Sequence, residues 1–118
     1  MSDPVLYHNP RCSKSRGALE LLQQHGVAPT VVRYLDTPPD VATLRRLVDA
    51  LGIAPRELLR RGETAYRELG LADPSLDDDA LLAAMAEHPS LIERPILVRG
   101  PRAVIGRPPE RVLELLDE

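Results

Sequence analysis

The sequence contains no tryptophan, no phenylalanine, one cysteine (Cys12) and one lysine (Lys14). Tyrosine is the only aromatic type, three residues in 118, so a core has to be assembled from Leu, Val, Ile and Ala. A single thiol cannot close an internal disulfide. That excludes a disulfide scaffold and means that any redox cycle through Cys12 takes its second thiol from another molecule. No apolar run approaches the roughly 20 residues of a membrane-spanning helix, and residues 1–4 show neither the basic nor the apolar region of a signal peptide. Acids and bases are mixed along the chain at a formal net charge of −3, which removes the basic footprint expected of a nucleic-acid binder. The expectation is a cytoplasmic protein in a reducing compartment, with no membrane and no nucleic-acid partner. Fourteen arginines against the one lysine follow a coding bias more simply than a function.

No repeat or low-complexity linker divides the chain, and the length suits one domain over residues 1–118. Twelve prolines fall mostly between periodic segments. Val5, Leu6 and Tyr7 read as a strand. Ala18, Leu19, Leu21 and Leu22 give a helix face that stops at Gly26. Thr30 to Leu35 reads as a second strand, broken by Pro38 and Pro39, and Asp40 is a suitable helix N-cap. Val41, Leu44, Leu47, Val48 and Leu51 keep helical spacing up to Gly52. Pro55 opens a short helix through Arg60 and Arg61, ended by Gly62, and Ala65, Tyr66 and Leu69 predict another closed by Gly70. The acidic run Asp77-Asp78-Asp79 belongs at a helix start rather than at a metal site. Strands return at Ile96 to Val98 and Ala103 to Ile105 around a Gly100-Pro101 turn, and Pro108-Pro109 starts a last helix.

The predicted class is α/β. A crossover helix between the first two strands predicts a parallel pair, and the tight turn after Val98 an antiparallel hairpin. The order resembles a thioredoxin-like mixed sheet with a helical insertion, about residues 40–90, between its β-α-β and β-β-α halves. In such folds a cis-proline before the third strand faces the reactive cysteine, and Pro95, after Arg94, occupies that position.

Cys12 falls in the strand-to-helix turn, where free N–H groups and the helix dipole favour an anion. His8, Arg11, Lys14 and Arg16 add positive charge or donors, and each effect lowers a thiol pKa. Cys12-Ser13-Lys14-Ser15 has C-x-x-S spacing. Ser15 can donate a hydrogen bond to a thiolate but cannot resolve a disulfide. His8, four residues before the thiol, would favour the thiolate if protonated. Arg60, Arg94 and Arg107 stand at predicted element ends, and forked guanidinium donors suit tetrahedral oxyanions.

Across nearly its whole length the chain resembles the glutaredoxin-linked arsenate reductase family, most closely its short arsenate reductase-like members. The segments that carry the resemblance are Tyr7 to Ser15, Tyr34 to Pro39, Glu68 to Leu71, His88-Pro89, Leu91 to Ile96, and Ile105 to Pro109. The resemblance implies Cys12 as the nucleophile toward arsenate, His8 as a residue that activates it, and Arg60, Arg94 and Arg107 as substrate-binding arginines. It implies glutathione as co-substrate and glutaredoxin as partner, with no bound cofactor and no metal. Ser13-Lys14 departs from the smaller Gly-Thr pair of plasmid-type members. Two other readings stand beside it. One is a monothiol glutathione-dependent disulfide reductase, needing Cys12 but not the arginines. The other is a thioredoxin-like regulator that binds RNA polymerase, without the C-x-x-C switch that Ser15 removes.

Overall fold

The computed structural model describes residues 3–116, which form two compact units: residues 3–37 with 94–116, and residues 38–93. The first holds strands β1 (Val5–His8), β2 (Thr30–Arg33), β3 (Ile96–Arg99) and β4 (Arg102–Ile105), helix α1 (Ser13–Gln24) and a closing 3₁₀ helix, Pro109–Leu115. The sheet order is β2-β1-β3-β4. β1 runs parallel to β2 and antiparallel to β3, and β3 and β4 form the hairpin. The parallel pair follows from α1, which carries the chain back across the sheet before β2 begins. Gly100, at φ 62°, makes the hairpin turn in a region that a side chain would strain. Leu6, Leu97 and Val104 from the sheet meet Ala18 and Leu22 of α1 and Val112 and Leu115 of the 3₁₀ helix in one aliphatic core.

Two elements here differ from the sequence pattern. β2 ends at Arg33 rather than Leu35, because the N–H groups of Asp36 and Thr37 both turn back to the Arg33 carbonyl at 2.9 Å. The last helix is 3₁₀ rather than α. Val112 and Leu115, three residues apart, eclipse on a three-residue turn and both enter the core, while Arg99 Nη1 donates to the Leu115 carbonyl at 2.8 Å.

The second unit, the helical insertion, contains α2 (Val41–Leu51), α3 (Pro55–Leu58), α4 (Thr64–Glu68), α5 (Asp78–Glu87) and a 3₁₀ turn, Pro89–Leu91. Asp40 caps α2 by accepting the Thr43 N–H at 2.8 Å, and Asp77 caps α5 by accepting that of Ala80 at 2.9 Å. The acidic run is therefore a helix start, with Asp79 paired to Arg45. α5 packs on α2 and α3 through Leu81, Leu82 and Met85. α3 stops short of the expected Arg60-Arg61, because Leu59 leaves the helix to pair with Ile92 in an antiparallel bridge. Among the described residues no helix is long and apolar enough to cross a membrane.

Candidate active site

β1 ends at His8, and Asn9, Pro10 and Arg11 turn the chain so that Cys12 is the N-cap of α1, in extended geometry. The Cys12 N–H donates to the Asn9 carbonyl at 3.0 Å, and the Cys12 carbonyl accepts the Arg16 N–H at 2.9 Å, opening the helix. Asn9 Oδ1 accepts the Arg11 N–H at 3.0 Å, and Arg16 Nη1 donates to the Pro10 carbonyl at 3.0 Å. These bonds close the loop around Ser15, whose side chain is fully buried. Ser15 Oγ accepts the Asn9 N–H at 3.0 Å and shares a 2.6 Å hydrogen bond with His8 Nδ1.

Cys12 is a free, half-buried thiol. Burial pushes its pKa up, but the Ser15 N–H, the positive charge of Arg94, the Lys14 N–H and a hydrogen bond from the Arg94 side chain together carry it below the ordinary thiol value. The sulfur closes no ideal capping hydrogen bond; the two N–H dipoles act on it as the positive end of the helix. Arg107, in the bend after β4, directs Nη1 to the Arg94 carbonyl at 3.4 Å, so the Arg107 side chain rests on the Arg94 backbone. The Arg94–Pro95 peptide bond is cis, and so is Arg107–Pro108. Gly106 fixes the two segments to each other by donating its N–H to the Pro95 carbonyl at 2.9 Å.

Two sequence expectations change in their means. His8 is buried, and its pKa is lowered by that burial and by the charges of Arg33 and Arg16. It is neutral near pH 7 and does not act as a positive charge on the thiol. It hydrogen-bonds Ser15, which makes it a positioning group for the Cys12 loop. The Ser15 hydroxyl is taken up by His8 and Asn9, so Ser15 supports the thiol through its backbone N–H instead. Arg60 belongs to the second unit. There its guanidinium pairs with Glu63 Oε2 at 3.4 Å and donates to the Ser90 carbonyl at 3.4 Å.

Asn9 and Gly106 escape the sequence reading. Asn9 falls in a turn motif that any loop could carry, and Gly106 shows its purpose only when Pro95 is folded against it. Among the described residues no group of three or more His, Cys, Asp or Glu is placed to hold a metal ion. The arrangement sets a thiol of lowered pKa beside a guanidinium, a pairing chemically suited to attack on an anion.

Comparison with known proteins agrees with this geometry. Residues 7–115 match the model of the ArsC family. The Escherichia coli K12 uncharacterized protein YfgD is 57% identical over 112 residues, 94% of this chain and 94% of its own length. An arsenate reductase of Neisseria meningitidis Z2491 is 50% identical over 117 residues, 98% of this chain and all of its own. The solved structure of an arsenate reductase from Vibrio cholerae superposes with a TM-score of 0.93 at 55% identity, covering 96% of this chain and 97% of that one. The four-stranded mixed sheet with its helices is the thioredoxin-like fold of those structures. The chain belongs to the ArsC family.

Proposed function

We propose that this member of the ArsC family reduces arsenate to arsenite through Cys12, with glutathione and a glutaredoxin supplying the electrons. The observation that carries the reading is the Cys12 thiol at the N-cap of α1 with Arg94 donating to it and Arg107 against Arg94. The 50% identity to a named arsenate reductase supports the choice of arsenic as the electrophile.

In the first step the Cys12 thiolate attacks arsenic, an S–As bond forms, and one arsenate oxygen leaves as water after protonation. Arsenic stays at +5. Arg94 and Arg107 bind the oxyanion and offset its repulsion from the thiolate. The glutathione thiol then displaces a second oxygen as water. A glutaredoxin thiolate attacks the glutathione sulfur, an S–S bond forms, and the S–As electron pair remains on arsenic, which falls to +3. Water displaces Cys12, releasing arsenite and restoring the thiolate. The sum is arsenate plus two thiols giving arsenite, one mixed disulfide and water. One cysteine suffices because the other two sulfurs come from outside the chain.

The test is arsenate-dependent oxidation of NADPH with glutathione, glutaredoxin and glutathione reductase. Turnover that disappears in Cys12→Ser supports the reading, and turnover no greater than that variant refutes it. The pair Arg94→Ala and Arg107→Ala should abolish arsenate reduction; if instead it left a glutathione-dependent disulfide reductase at full rate, the monothiol reading would replace this one.

A further inference from the structure

Between Pro10-Arg11 and the turn after β2 lies a cleft of about 200 Å³ whose lining includes neither Arg94 nor Arg107. Its charged wall is Arg11, Arg33 and Asp36, and its apolar wall is Pro10 and Leu35. Leu35 is 41% exposed, one of three large aliphatic side chains so placed among the described residues. The Arg33 Nε to Asp36 Oδ2 distance is 3.7 Å, beyond a hydrogen bond, so both groups keep capacity for a ligand. Arg11 precedes Cys12, its Cα only about 3.8 Å from that of the nucleophile. A ligand held at Arg11 is therefore one residue along the chain from the nucleophile.

The charges select among small thiols. A ligand with a carboxylate and an ammonium on one carbon meets a guanidinium and Asp36 together, while its aliphatic part covers Leu35 and Pro10. The γ-glutamyl end of glutathione has that pair, and the glycine end has a carboxylate alone. The cleft is too small for the whole tripeptide, so it seats one end and leaves the thiol outside. We propose that this cleft is the docking site of the thiol co-substrate and that it grips the γ-glutamyl end, with Arg11 and Arg33 on the carboxylate and Asp36 on the ammonium. The assignment rests on the arsenate reading for the use of the bound thiol, but not for the binding itself.

The binding test therefore contains no arsenate. S-methylglutathione, which cannot react, is titrated into the ¹⁵N-labelled protein. The amides of Arg11, Leu35 and Asp36 should shift, S-methyl-γ-glutamylcysteine should bind as well as the full tripeptide, and S-methyl-cysteinylglycine should not. In turnover, exposed Asp36→Asn should raise the KM for glutathione about tenfold while the KM for arsenate stays within about twofold. Absent shifts in the cleft, or equal binding of the analogue lacking the γ-glutamyl group, overturn the proposal, as does an unchanged KM for glutathione in Asp36→Asn. Binding with the expected preference in a protein that does not turn over arsenate upholds the cleft and removes the arsenate reading, so the two failures are told apart.

Discussion

A single methyl group at Gly106 should move the Arg94 segment away from the thiol. A Cβ at this position meets Pro95 Cγ at 2.9 Å, Val112 Cγ1 at 3.0 Å and Ala18 Cβ at 3.7 Å. Carbon atoms prefer about 3.5–4.0 Å, so the first two contacts each overlap by roughly half an ångström or more. Neither neighbour yields easily: Pro95 is a ring inside the chain and Val112 is β-branched and fully buried. Gly106→Ala gains about 0.8 kcal/mol from the buried methyl and loses, from overpacking, about 3 kcal/mol at the upper end of the usual range. The net is a destabilisation of about 2 kcal/mol, read by urea denaturation. The easier relaxation is outward movement of Pro95, and Arg94 moves with it. The kcat/KM for arsenate should then fall at least about tenfold in a protein still folded, with the loss mostly absent when Gly106→Ala is added to Arg94→Ala. A variant that loses the expected stability yet keeps wild-type kcat/KM would show that Gly106 packs the core without setting Arg94, and a variant as stable as wild type would refute the packing estimate.

Ser15→Ala leaves His8 Nδ1 and the Asn9 N–H without their shared oxygen; it should cost about 1–3 kcal/mol in denaturation for each group left unsatisfied. The Cys12 titration should barely move, since the Ser15 N–H is retained, and a large upward shift would restore a direct role for the hydroxyl. The His8 pKa is held below its ordinary 6.5, so below that pH the unfolded chain takes up a proton that the folded chain resists. Stability should be fully present above about pH 6.5 and fall as pH drops through the folded-state value. Urea midpoints at about pH 7.5 and about pH 5.5 should differ more in wild type than in His8→Gln, and equal differences would refute the assignment.

Much of the fold was legible because its punctuation is local. Asp40 and Asp77 announce α2 and α5 through N-cap chemistry, and Gly26, Gly52, Gly70 and Gly100 mark turns at positive φ. Where tertiary pairing overrides local preference, the sequence pattern ran past the element. Leu59 could continue α3 but pairs with Ile92 instead, and Leu35 could extend β2 but lies inside a turn closed on the Arg33 carbonyl. The 3₁₀ helix was hidden because Val112, Leu113, Leu115 and Leu116 fit an α-helical face equally well. At the site, the position of Cys12 followed from the strand-to-helix order alone. The state of His8 did not, because it depends on burial and on Arg33, distant in sequence and adjacent on the neighbouring strand. The cleft was invisible for the same reason, since its walls come from two loops that only the β1–β2 pairing brings together.

The most direct measurement is the titration of Cys12, followed by thiolate absorbance in the ultraviolet, in wild type and in Arg94→Ala. Wild type should ionise below the ordinary thiol value, and the variant should ionise at higher pH, because it loses both the charge and the hydrogen bond of Arg94 while the Ser15 and Lys14 N–H groups remain. A wild-type midpoint at the ordinary value of about 8.5, or one that Arg94→Ala leaves unmoved, would contradict a thiolate prepared by the helix end and this arginine.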